Sequence, residues 1–187
     1  MMKRIFLMVA GSAALAICSN AQQASKRADK QDGMKDCPMH EQHQAASAGD
    51  DHAKQQLGRR GDQGMGFAQD KTTHHFLLSK EGGAIQVTAN SASDKASTEE
   101  IQMHLRHIAR AFQSGDFNIP MFVHDQTPPG VAVMTKLKGQ IKYRYEMAEN
   151  GGRVMISSEN VEAVKAVHEF LRFQIKEHET GDAVEVK

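Results

Sequence analysis

The chain has no run of roughly 20 apolar residues, the length a helix needs to cross a bilayer. Its longest uncharged apolar stretch, Ile5 to Ile17, is shorter than that and lies at the start. An excess of one charge is also missing, because 23 Lys and Arg face 23 Asp and Glu. Nucleic-acid binding needs a basic footprint, so this balance excludes a nucleic-acid partner, and it gives no polybasic membrane patch. Only two cysteines occur, Cys18 and Cys37. Gly-rich phosphate loops, a Gly-x-Ser-x-Gly elbow and a haem-attaching Cys-x-x-Cys-His are all absent from the sequence, which removes the reactions those motifs carry.

What is present begins with Met1-Met2-Lys3-Arg4, a short basic segment, followed by the apolar stretch and by Ser19-Asn20-Ala21, small residues at the −3 and −1 positions of a cleavage site. This is the three-part pattern of a secretory signal. The expected product is periplasmic or secreted and soluble, starting at Gln22. Acylation at Cys18 is the alternative, but the bulky Ile17 stands directly before it. Loss of 21 residues from 187 leaves 166, with Lys3 and Arg4 gone and 21 basic against 23 acidic residues. Cys37 is then the only cysteine, so no intramolecular disulfide can form; a lone exported cysteine is a free thiol, an intermolecular bridge or a metal ligand. All ten histidines lie in this part, beside two Tyr and no Trp.

Residues 22–63 are rich in Gln, Ala, Ser, Asp, Lys and Gly and lack apolar periodicity, the composition of a disordered linker. Residues 64–182 are expected to form one α+β domain, followed by a short tail over 183–187. Thr73–Ser79 and Ala84–Asn90 read as strands around a Gly82-Gly83 turn, and Ser97 with Glu100 makes a capping box for a helix over Thr98–Gln113. A connecting segment runs to Gln126, and Thr127 is expected to cap a short helix ending at Gly139. The pattern then repeats, with strands around Gly151-Gly152 and a helix over Val161–His178. Leu105-Arg106 and Ser114-Gly115-Asp116 in the first half match Leu171-Arg172 and Thr180-Gly181-Asp182 in the second. A duplicated ββα unit predicts a four-stranded antiparallel sheet with both long helices on one face. The last helix also carries Ala166, Phe170 and Phe173 on its far side. A helix apolar on two faces is buried on both, by the segment holding Met65 and Phe67 or by a second copy, so a homodimer is expected.

Two groups of residues could carry chemistry. Cys37, Met39, His40 and His43 supply thiolate, thioether and imidazole, the donors soft metals prefer, copper above all and also zinc. Cys37-Pro38-Met39-His40 resembles the short heavy-metal-binding element found at the ends of bacterial copper-transport and efflux proteins. In the folded part His74, His75, His104, His124, Asp125 and His168 are the pocket candidates. His168 sits on the apolar face of the last helix, where a neutral imidazole bonded to backbone competes with a ligand role. His104 flanks the apolar stripe of its helix, and His107 points outward. His74 and His75 are neighbours on a strand and face opposite sides.

Gly64-Met65-Gly66-Phe67, Lys71-Thr72-Thr73-His74-His75-Phe76, His124-Asp125-Gln126-Thr127-Pro128-Pro129-Gly130 and His168-Glu169-Phe170-Leu171-Arg172-Phe173-Gln174 together resemble a family of uncharacterised secreted bacterial proteins. Members sometimes carry the label aspartate carbamoyltransferase. That label conflicts with the residues, since the Ser-Thr-Arg-Thr loop and the length of that enzyme are absent. Two functions are therefore expected: a periplasmic metal-handling protein for copper or another soft metal, more a binder than an enzyme, or a small-molecule-binding module or small hydrolase using His124, Asp125 and His168.

Overall fold

The computed structural model describes residue 52 and residues 54–186, and Cys37, Met39, His40 and His43 lie outside the described residues. Strands β1 (Thr72–Ser79), β2 (Gly82–Ala89), β3 (Ile141–Ala148) and β4 (Gly151–Ser158) form one antiparallel sheet in the order β1-β2-β4-β3. Five α-helices accompany it among the described residues: α1 (54–65), α2 (Lys95–Ser114), α3 (Asn118–His124), α4 (Val131–Lys136) and α5 (Val161–Glu177). The fold class is α+β. Strand alternation sends Phe76, Leu78, Ile85, Val87, Ile141, Val154 and Ile156 to one face. There they join Ile101, Leu105 and Phe112 of α2 and Val167, Phe170 and Leu171 of α5 in one apolar core. The two long helices thus share that face.

The halves repeat closely. Each strand of the second half begins 69 residues after its counterpart, Thr72 to Ile141 and Gly82 to Gly151. Ile85 and Val154, themselves 69 apart, are paired with each other between β2 and β4. The two halves are therefore related about that central pair. Turn chemistry repeats as well. Gly82 has φ 144° and a Cβ there would press into the Ile156 carbonyl; Gly151 has φ 159° and its Cβ would meet the Val87 carbonyl. The helix caps are also equivalent, Asp94 for α2 and Asn160 for α5. They lie 66 apart because the loop into the second helix is three residues shorter, 159–160 against 90–94.

Several sequence expectations shift. Helix α2 starts at Lys95 on the cap Asp94, whose carboxylate accepts from Ser97 N–H at 3.0 Å. Ser97 is thus a buried first-turn residue and not the cap. Thr127 caps nothing, since α4 starts after Gly130 in the left-handed region. The segment before it folds as α3, where periodicity over so few residues gave no signal. Helix α1 falls mostly inside the 22–63 stretch expected to lack structure, ending two residues beyond it. It is held from outside: Arg60 Nε donates to Val123 O at 2.8 Å, and Gln69 Nε2 donates to Gly58 O at 3.1 Å.

The second apolar face of α5 is covered within the chain. Val131 and Met134 of α4 are buried in the core with Ala166 and Phe170. Gly130 lets the chain approach so near that a Cβ would press into Ala166 O. His124 of α3 meets Phe173 with ring centroids 4.9 Å apart. That face accordingly supplies no argument for a second copy.

Candidate functional site

The site lies in the core, between the β1 side of the sheet and the helices above it. His74 enters from β1, His104 from α2, His124 from the end of α3, and His178 from the residue that closes α5. Together with Gln174 they line one cavity whose walls are Phe76, Ile85, Val87, Leu105, Ile108 and Phe170, with about 70 Å³ of free space. The rings touch in a chain. His74 stacks on His178 at 5.8 Å between centroids, and His178 meets His124 edge-on at 5.1 Å. Phe67 stacks on His74 and meets His104 edge-on.

These imidazoles are neutral at pH 7. Burial in apolar surroundings disfavours the charged form, and it brings His74 and His104 down to about 4 and His178 to about 3. Each then feels its imidazole neighbours, His75 on His74, His74 on His104, and His74 on His178. His124 is also lowered, by burial first, against the upward pull of Gln174 and Glu177. Neutral imidazoles offer lone pairs. Only one ring nitrogen of the four is hydrogen bonded among the described residues, His124 Nε2, which lies 2.9 Å from Gln174 Oε1. Since an amide oxygen only accepts, His124 carries its proton on Nε2 and keeps Nδ1 bare. His124 Nδ1, His74 Nε2 and Gln174 Nε2 are buried without a partner. Each such atom costs about 1–3 kcal/mol.

The duplication shows that the fold does not require imidazole or amide at these positions, although Tyr143 also buries a hydroxyl that has no partner among the described residues. At the equivalent offsets, His74 corresponds to Tyr143, His178 to Phe112, Gln174 to Ile108, and His104 to Phe170. Phe112 and Tyr143 touch at 5.7 Å, nearly the spacing of His178 and His74. One half closes its core with hydrocarbon and phenol where the other places imidazole and amide.

The remaining candidates lie elsewhere. His75 faces the other side of the sheet, as strand alternation requires, and its Nδ1 is 2.8 Å from Asp182. His168 donates from Nε2 to Ser79 O at 2.9 Å, a backbone-bonded imidazole away from the cavity wall. Asp125 is exposed in the left-handed region at the end of α3, with φ 53°. It borders an outer polar depression with Arg60 and Glu177, to which His124 also contributes. His74, His104 and His124 therefore come together, whereas His75, Asp125 and His168 do not join them. His178 and Gln174 were missed by sequence reasoning. The helix period would have found Gln174 on the face of Leu171 and Ile175. Among the described residues no three His, Cys, Asp or Glu side chains are disposed to hold one metal ion, and no helix is long and apolar enough to cross a membrane. Comparison of the chain with protein-family models, with curated proteins and with solved structures returns no match.

Proposed function

We propose that this is an exported binding protein whose folded domain takes a small, largely apolar ligand carrying a hydrogen-bond donor. The observation that carries this is the set of unbonded, neutral imidazole nitrogens in one apolar cavity, set against Ile108, Phe112, Phe170 and Tyr143 in the equivalent half. A bare lone pair on His124 and an unpaired amide on Gln174 accept and donate side by side, which suits a hydroxyl. Size bounds the ligand: about 70 Å³ is half of the ~150 Å³ that admits benzene to an apolar cavity. Small alcohols, methanol and ethanol, are the probes. Titrated into the ¹⁵N-histidine-labelled full chain, they should move the ring-nitrogen resonances of His74, His124 and His178 and raise the unfolding temperature by mass action. Resonances that stay fixed at the highest concentration of each probe that leaves the chain folded would refute the reading.

A second reading is favoured by the Cys37-Pro38-Met39-His40 element and His43. A thiolate, a thioether and two imidazoles on an exported chain suit copper or another soft metal, so the same protein would handle metal through its N-terminal segment. Titration with Cu(I) should show binding tighter than micromolar that Cys37→Ser weakens. Affinity that is micromolar or worse, and indifferent to that substitution, removes this reading and leaves the cavity untouched.

A further inference from the structure

We infer that the groove between α2 and the outer edge of β3 docks an extended acidic segment of a partner protein through a carboxylate. The argument comes from the equivalent groove in the other half, which the chain fills itself. There β1 is the outer strand, and the segment after α5 lies along it. Asp182 accepts from Phe76 N–H at 2.9 Å and sits 2.8 Å from His75 Nδ1, while Arg172 Nε donates to Val184 O at 2.9 Å. Burial alone would raise the Asp182 pKa, but bonds from Thr180, Phe76 and His75 outweigh it and hold the group ionised.

The first half has basic side chains at the equivalent positions and no such tail among the described residues. After Gly115 the chain turns away into α3, and Asp116 spends its carboxylate on Asn118 N–H. Arg106 stands where Arg172 does, Arg144 where His75 does, and Tyr145 where Phe76 does. Gln113 caps the strand start, accepting from Tyr143 N–H and donating to Ile141 O. Alternation of the ladder puts Tyr145 N–H on the same outer rim two residues on, where no group among the described residues bonds it. Arg106 lies over the Tyr145 ring with 5.3 Å to its centroid; its Nε donates to Gln102 O at 3.0 Å, which leaves the terminal guanidinium nitrogens for a carboxylate, and Arg110 lines the same groove without an ion pair among the described residues. Glu146, two residues after Arg144, is shared between Arg144 and Arg153. The rim is thus a cationic strand edge with a free amide, and an extended carboxylate-bearing chain matches both features.

A synthetic peptide of residues 180–186 is the probe, because that sequence already fills the equivalent groove. Added to the ¹⁵N-labelled full chain, it should shift the Tyr145 amide and leave Phe76 in place. Arg106→Ala with Arg144→Ala should weaken binding at least about tenfold, the scale of losing charge-assisted bonds, and so should Asp182→Asn in the peptide alone, which cannot disturb folding of the receptor. Three outcomes overturn the inference: a Tyr145 amide that does not move, an affinity unchanged by those substitutions, or acetate binding as tightly as the peptide, which would mark a site for free carboxylates.

Discussion

His178 marks the point at which stability and binding pull apart. Its ring is half-buried, neutral and without a hydrogen bond among the described residues, and its equivalent in the other half is Phe112. Replacing it with Phe removes a polar ring from an apolar wall and adds ring surface beside about 70 Å³ of free space. His178→Phe should therefore leave stability unchanged or raise it slightly, since its ring nitrogens are not among the atoms buried without a partner. It should also abolish the response of the cavity to small alcohols, the usual trade when a site is traded for core packing. Urea unfolding and the probe titration measure the two effects on one sample. A variant less stable than the parent would mean that the imidazole has a bonding role within the folded chain. Gln174→Leu tests the same logic from the next turn of α5, since it frees His124 Nε2 of its partner. Retention of the His124 resonance positions in that variant would mean that Gln174 does not fix the tautomer.

At the level of elements, the two long helices carry parallel caps of different chemistry. Asp94 holds α2 through Ser97 N–H and Oγ, and these bonds keep its carboxyl below the usual range. Asn160 holds α5 by accepting from Glu162 and Ala163 N–H. Asp94→Ala should lower the melting temperature, as loss of an N-cap does, and Ser97→Ala should lower it less; the reverse order in thermal melts would restore Ser97 as the cap. This pair shows what was legible in the sequence. Strands, turns and both helices could be read because Ile85, Val87 and Ala89 alternate, Gly82 and Gly151 punctuate, and Leu105 and Leu171 recur at fixed distance from Gly115 and Gly181. Those are local signals. Helix α3 spans seven residues and includes Pro120, too little for a period, and α1 is fixed by Arg60 and Gln69 reaching across the chain. The site was half legible for the same reason. His74, His104 and His124 stand out as residue types, but their convergence depends on where α5 ends, and His178 lies one residue past the helix that positions it. His168 was the more conspicuous residue on that helix, and its bond to Ser79 O keeps it out of the cavity.

For the whole molecule, the four cavity histidines make stability a function of pH. Above about pH 6.5 both the folded and the unfolded chain carry neutral imidazoles, and the fold keeps its full stability. Below that, the unfolded chain takes up protons that the folded chain refuses until about pH 4 for His74 and His104 and about pH 3 for His178. Each such proton removes about 1.4 kcal/mol per pH unit across that interval. The lowered carboxylates work in the same direction but later. Asp182 loses its bonds to Phe76 and His75 only near and below the ordinary Asp range, so the window from about pH 6 to about pH 4.5 belongs to the imidazoles. Urea unfolding across that window should show a slope of at least about two protons, and His178→Phe should lower the slope by about one. A ligand held by imidazole lone pairs should leave over the same window, because protonation occupies the atoms that hold it. Stability that is flat across the window, or a slope that His178→Phe does not change, would mean that the rings reach solvent and protonate without unfolding. The cavity would then be an open cleft, and the unbonded nitrogens would carry no argument for a ligand.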